Sequence, residues 1–323
     1  MRRLLFAATA AFALAAPLPA QTPAQPVASR WITLGTQGGP IPLANRSQPA
    51  NVLVTGDGAY VIDAGDGVAE QLAKANVPLA AVKAVVLSHL HFDHTAGLFG
   101  IVSLRWQTSI YSPLTIYGPP GTKQLVDGIL ASMQPAVAAG YAYPGEFKQP
   151  FEPGISVVEI RDGAKFDLGQ GHVTAVKNTH YTFSAGSADD KAFESLALRF
   201  DLPDRVIAYT GDTGPSAAVE RLAKGADLLV TEMIDFDRTV AEIHRLSPNM
   251  PAAAVTGIET HLRDHHVTPE QVGEMAHAAD VKSVVVTHLS APAFDGRIGL
   301  EYLQAIGRHY AGPVAIARDL DSF

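Results

Sequence analysis

Short apolar runs, some alternating with polar residues and bounded by Gly, Pro, Asn or Asp, predict strands at Asn51–Thr55, Ala59–Ile62 and Ala84–Leu87. Further runs predict strands at His172–Asn178, Ser195–Asp201, Val206–Tyr209, Asp227–Thr231 and Ser283–Thr287. Helical spacing appears at Thr122–Met133 after a Gly-Pro-Pro-Gly turn, at Pro215–Lys224, which opens on proline, and at Pro269–Ala279. Strands interleaved with helices point to a mixed α/β architecture. No repeat of fixed period is visible in the chain, so one catalytic domain over 29–323 is the simpler count.

The start of the chain follows a different pattern. Arg2 and Arg3 precede an apolar run from Leu4 to Ala16, and Pro17 to Ala20 ends on a small residue. This three-part layout predicts a signal peptide over 1–20, followed by an extended linker over 21–28 containing Pro23 and Pro26. The apolar run falls short of the ~20 residues a membrane span needs, so the expectation is a periplasmic or secreted protein without a stable span. Export usually brings disulfides, yet the chain has no cysteine; any metal site must therefore be built from His and carboxylates. A formal charge of −8, with no basic cluster, argues against a nucleic-acid partner, because phosphate contacts need grouped Lys and Arg.

The densest chemistry follows the third predicted strand, in Val85-Val86-Leu87-Ser88-His89-Leu90-His91-Phe92-Asp93-His94-Thr95-Ala96-Gly97. His89 and His91, two apart, share one side of an extended segment, while Asp93 and His94, beside the start of a helix, can face a second centre. The spacing thus suggests two metal ions. Histidines this dense beside an apolar strand would each need a hydrogen-bond partner if they were merely buried. One cluster cannot complete two coordination spheres, and three later strands end in suitable donors: His180 after His172–Asn178, Asp212 after Val206–Tyr209, and His288 after Ser283–Thr287.

With these residues in view, the chain resembles the metallo-β-lactamase fold, a four-layer αββα sandwich. Within it, the likeness is to the branch of ribonuclease Z, the type III arylsulfatases and the cyclic-nucleotide phosphodiesterases. Leu34-Gly35-Thr36 is similar to that branch's opening segment, and Val61-Ile62-Asp63-Ala64-Gly65, Tyr117-Gly118-Pro119-Pro120-Gly121-Thr122 and Gly211-Asp212-Thr213 follow in its order. His266-Val267-Thr268, ahead of Val286-Thr287-His288-Leu289-Ser290, resembles its additional His-x-Thr element.

The resemblance implies that His89, His91 and His180 bind one divalent ion, that Asp93, His94 and His288 bind the other, and that Asp212 bridges them. Zinc heads the expected metals, with manganese or iron also suited to the donors. It further implies a metal-bridging hydroxide as nucleophile, with Asp93 orienting it and His266 acting as general acid. The expected function is an exported hydrolase of a phosphate or sulfate ester, with a small-molecule ester as substrate. A lactonase or β-lactamase would use the same hydroxide on carbonyl carbon. Ribonuclease Z-like action on nucleic acid ranks lower, given the charge and the export signal. A redox role is disfavoured because related di-iron flavoproteins carry a carboxylate where this chain has His91, and a non-catalytic metal-binding module would have no need of His266.

Other residues near these motifs have lesser expected roles. Asp63 is expected to brace the ligand loop, and Glu232 to hydrogen-bond a ligand histidine or simply to end its strand. His265 is expected to point away from His266. His172, His244, His261, His277 and His309 carry no motif and default to surface or core roles. Substrate choice is expected to come from loops within Leu98–Ser112, Gln134–Pro153 and Thr182–Phe193, with Trp106, Tyr111 and Tyr181 as aromatic candidates or plain packing. The oligomeric state is open, a homo-oligomer included.

Overall fold

The computed structural model describes residues 28–39, 41–148, 151–291 and 296–323. The predicted signal peptide, and all of the linker except Ala28, lie outside the described residues. Among the described residues no helix is long and apolar enough to cross a membrane.

Two mixed sheets form the centre. The first holds β1 (Arg30–Gly35), β2 (Ala50–Thr55), β3 (Gly58–Ala64), β4 (Val82–Val86), β5 (Leu114–Gly118) and β6 (Ile155–Glu159), in that spatial order. The second holds β7 (Lys165–Leu168), β8 (Gly171–Lys177), β9 (Leu196–Asp201), β10 (Val206–Tyr209), β11 (Leu228–Ile234), β12 (Val284–Ser290) and β13 (Val314–Ile316), likewise in sequential order. In each sheet the early strands pair antiparallel, and the pairing turns parallel once helices connect the strands, from β3 to β6 and from β10 to β13.

Side-chain alternation sorts these strands into layers. Along β3, Tyr60 and Ile62 face the second sheet while Val61 faces outward. Along β11, Val230 faces the first sheet and Leu229 faces the helices behind it. The period of two therefore yields three apolar seams: one between the sheets around Trp31, Phe200 and Tyr209, and one behind each sheet. Helices α1 (Val68–Lys74), α3 (Leu98–Gln107) and α4 (Thr122–Ala139) cover the first sheet. Helices α6 (Ala217–Leu222), α9 (Pro269–Ala279) and α10 (Gly296–Gly307) cover the second. The result is the four-layer αββα sandwich that the motifs led us to expect.

Four further helices sit at or near one end: α2 (Phe92–Thr95), α5 (Ala188–Ala192), α7 (Phe236–Leu246) and α8 (Ala252–Asp264). Neither α7 nor α8 has a fully buried residue, so this pair stands proud of the sandwich. α9 starts where its capping box predicts, the Thr268 hydroxyl accepting from the Gln271 backbone N–H and the Gln271 amide oxygen from the Thr268 N–H. α4 outruns its predicted end despite Pro135. The bond forfeited by the proline belongs to the carbonyl of Ala131, and both residues are exposed, so water can serve that carbonyl.

Candidate metal centre

Two irregularities in the strands aim side chains at the site. On β3, Ile62 pairs with Asn51 and Ala64 with Ala50, so Asp63 is an extra residue with φ 58. On β12, Val286 pairs with Thr231 and Leu289 with Met233, so Thr287 and His288 together oppose Glu232, and His288 has φ 41. Both are bulges, which turn a strand locally and redirect one side chain. Such left-handed backbone is unfavourable for a residue with a Cβ, and it is held here by the flanking strand pairing.

The remaining donors arrive on loops at the same sheet ends. His89 and His91 follow β4, Asp93 and His94 lie in α2, His180 follows β8 and Asp212 follows β10. Close backbone approach seats the histidine loop on the turn after β3. A Cβ on Gly97 would stand 2.1 Å from the carbonyl oxygen of Gly65, and one on Gly65 would stand 2.4 Å from that of Asp93.

All seven predicted donors come together. His89, His91 and His180 form one group, and Asp93, His94, Asp212 and His288 form another. Asp212 faces both: its carboxylate lies 3.9 Å from Nε2 of His89 and of His180, 3.3 Å from Nε2 of His94 and 3.1 Å from Nε2 of His288. The Asp93 carboxylate lies 3.6 Å from Nε2 of His94 and 3.5 Å from Nε2 of His288.

The centre passes a direct test of fit for cations. Nε2 of His89, His94 and His288 and Oδ1 of Asp212 are buried, and none makes a hydrogen bond of acceptable geometry among the described residues. Bare buried polar atoms cost about 1–3 kcal/mol each, so four converging ones call for a shared partner. Burial pushes His89 and His180 well below the ordinary imidazole range, leaving them neutral with a lone pair to donate. Burial opposes the charge of Asp93 too, yet His94 and His288 hold that carboxyl down at about 2. A divalent cation would take the place of those imidazolium charges.

The supporting bonds fix which nitrogen faces inward. Asp63 accepts from the Ser88 backbone N–H at 2.7 Å, the Ser88 hydroxyl at 2.8 Å, the Tyr209 hydroxyl at 2.6 Å and Nδ1 of His94 at 2.9 Å. With Nδ1 of His94 donating, its Nε2 is left as an acceptor toward the centre. His180 is oriented likewise, with Nδ1 donating to the His265 carbonyl at 3.1 Å.

His266 is buried beside the two groups, its ring 4.9 Å from that of His180 and 6.2 Å from that of His288. Glu232 bonds Nδ1 of His266 at 2.7 Å and accepts from the Thr213 N–H at 2.6 Å. The glutamate therefore braces His266 rather than one of the seven donors, and it lies inside β11 rather than at a strand end. Burial works against a charge on His266, but the Glu232 carboxylate outweighs it and raises the imidazole pKa.

His265 does point away from His266, its Nε2 bonding the Thr182 hydroxyl at 2.6 Å. His261 departs from its expected default. Its ring lies 4.9 Å from that of His180 and 5.5 Å from that of His266. The i, i+4 spacing of His261 and His265 on one helix face was the available signal.

The expected substrate loops divide. Leu98–Gln107 is helix α3, and Gln134 lies within α4. Together with Trp106 and Tyr111 these segments line a separate cavity of about 360 Å³ that contains none of the site residues. Of the three segments, Thr182–Phe193 is the one that meets the centre. It bonds His265 through Thr182, beside Tyr181, whose ring lies 5.1 Å from that of His91.

Comparison with known proteins agrees with this geometry. The family model described as "Beta-lactamase superfamily domain" matches residues 59–289. Ribonuclease Z of Mycobacterium sp. (strain KMS) is 29% identical over 268 residues, covering 82% of this chain and 86% of that protein. The metallo-β-lactamase fold protein YhfI from Bacillus subtilis superposes with a TM-score of 0.64 at 20% identity, over 91% of this chain and 98% of that one. The short form of human tRNase Z superposes with a TM-score of 0.59 at 21% identity, also over 91% and 98%.

Proposed function

The chain belongs to the β-lactamase superfamily as a metal-dependent hydrolase of the metallo-β-lactamase fold, and we propose that it cleaves phosphodiesters of small molecules at a dinuclear centre. The observation that carries this reading is Asp212, set between two groups of donors whose inward atoms are buried and otherwise bare. The ribonuclease Z relatives support phosphorus as the reacting centre. A net charge of −8 favours a small ester over RNA.

In this reading His89, His91 and His180 hold one ion, Asp93, His94 and His288 hold the other, and Asp212 is shared. Cations there would supply Lewis acidity toward the ester oxygens and a water ionised near neutral pH; the nitrogen and oxygen donors suit zinc, with manganese or iron as alternatives. The chain's own contribution is orientation and proton transfer. Asp93 directs the attacking water. His266, with Nδ1 occupied by Glu232, has Nε2 left to protonate the departing oxygen. The leading segment at 1–20 adds export from the cytoplasm to the proposal.

Zinc-loaded protein assayed on bis(p-nitrophenyl) phosphate beside p-nitrophenyl sulfate tests this directly. The phosphodiester should turn over, and His266→Ala should lose about 10²–10⁴-fold in rate while keeping its metal. Loss of metal in that variant would place His266 among the ligands, and turnover of the sulfate alone would overturn the choice of phosphorus.

A further inference from the structure

The proposed reaction leaves one histidine of the cluster without a task. His261 sits in the last turn of α8, half-buried, with a ring nitrogen within 4.8 Å of ring nitrogens of both His180 and His266. Its ring is also 6.0 Å from that of His91. A third cation among His180, His261 and His266 is disfavoured, because both nitrogens of His180 are spoken for. Its Nε2 lies 3.0 Å from Nδ1 of His91 and 3.9 Å from Asp212, and its Nδ1 is on the His265 carbonyl.

The hydrogen bonds of His261 define what it offers. Its Nδ1 lies 2.9 Å from Nδ1 of His265, so the two share a single proton, and Nε2 of His265 is engaged by the Thr182 hydroxyl. When Thr182 donates to His265, His265 carries its proton on Nδ1 and donates it to His261. His261 then carries its own proton on Nε2, which has no partner among the described residues. With Thr182 as the donor, the chain Thr182–His265–His261 ends in an N–H donor beside His180 and His266.

Backbone contacts hold this donor in register with the bridging carboxylate. The Asp264 carbonyl, at the end of α8, packs so closely on Gly214 that a Cβ there would stand 2.3 Å from it, and Gly214 is two residues from Asp212. Arg263 stacks on Phe236 at the start of α7, with its guanidinium carbon 4.7 Å from the ring centre.

We propose that His261 binds the substrate, donating its Nε2 proton to a non-bridging oxygen of an anionic phosphoryl group. This rests on the phosphodiester reading for the identity of the group. An oxygen-rich anion suits the two imidazole donors, His261 and His266, set next to cations. His266 serves the leaving oxygen, and His261 holds the group being transferred.

The test is calorimetric titration of inorganic phosphate into zinc-loaded wild type, His261→Ala, His261→Gln and Thr182→Val, with zinc content measured for each. His261→Ala should weaken phosphate about tenfold or more at unchanged zinc content, as expected for loss of one charge-assisted bond. His261→Gln, whose side-chain amide restores an N–H, should recover most of the affinity. Thr182→Val, which removes the far end of the chain, should show a smaller loss. Equal phosphate affinity in wild type and His261→Ala, no phosphate binding by wild type, or loss of zinc in His261→Ala would each overturn the proposal. If phosphate binding falls as expected while no phosphodiester is hydrolysed, the contact stands and the functional reading fails.

Discussion

Asp63→Asn isolates the bracing of the centre from the centre itself. Asparagine matches aspartate in shape and tolerates the φ of 58 at this bulge, so the backbone is not disturbed. What changes is the hydrogen bonding. The Asp63 carboxylate accepts four bonds, one on Oδ1 from the Ser88 N–H and three on Oδ2 from the Ser88 hydroxyl, the Tyr209 hydroxyl and Nδ1 of His94. An amide has one accepting oxygen. With its NH₂ toward the Ser88 N–H, two donors face each other and a buried N–H is orphaned, at about 1–3 kcal/mol. With its NH₂ toward His94, that ring must switch tautomer and loses the bare Nε2 that faces the centre.

The first orientation costs less. Adding the lost charge assistance on the other bonds, we expect about 3 kcal/mol of destabilisation, or a fall of about 6 °C in Tm for a chain of this size. Metal affinity should fall about 10–100-fold, as for other residues that orient metal-binding histidines. Thermal melts of metal-free protein and a competitive zinc titration against a chromophoric chelator read the two effects separately. If Asp63→Asn melts with wild type and binds zinc with wild-type affinity, the bracing role assigned to Asp63 is wrong.

Two further perturbations probe how the framework is held together. Gly214→Ala should push the end of α8 away from the Asp212 loop, lowering phosphodiester turnover more than stability; unchanged kcat/KM would show that this contact does not position the site. Asp204 accepts from the Ser29 N–H at 2.7 Å and the Ser29 hydroxyl at 2.9 Å, tying down the start of β1. Burial opposes its charge, but these bonds and Arg205 hold its carboxyl below the ordinary value. A depressed carboxyl stabilises the fold above its unfolded pKa and loses that contribution as pH falls through the folded one. Asp204→Asn should therefore lower Tm at pH 7, with the difference from wild type shrinking as pH falls below the ordinary aspartate value; a Tm difference that is independent of pH would refute the assignment.

The strand periodicity and the seven donors were legible in the sequence because strands with both faces packed read as apolar runs, and the donors follow those runs directly. The two bulges were not. A bulge is a property of two strands in register, and neither Asp63 nor His288 carries a local sign that its partner strand is one residue short. His288 was accordingly read as terminating its strand, whereas it lies inside β12. For Glu232 the sequence offers a coordinating histidine as partner or a plain strand end, since strand order alone does not reveal that His266 arrives opposite it. The edge strands β6 and β13 are only five and three residues long, too short for their apolar residues to set them apart from loop. The helices α7 and α8, which have no fully buried residue, also went unseen, and with α8 the position of His261. The expected loop at Leu98–Ser112 proved largely helical, and Gln134–Ala139 continues α4, because Leu98, Ile101 and Val102 on α3 and Val126 and Met133 on α4 recur at helical spacing and pack on the first sheet.

The most direct test of the dinuclear centre is a zinc titration of metal-free protein in which bound zinc per chain and hydrolysis of bis(p-nitrophenyl) phosphate are followed on the same samples. The account predicts two ions bound per chain, with turnover appearing as they fill and vanishing on chelation. Fewer than two ions per chain at saturation, or turnover indifferent to chelation, would contradict it.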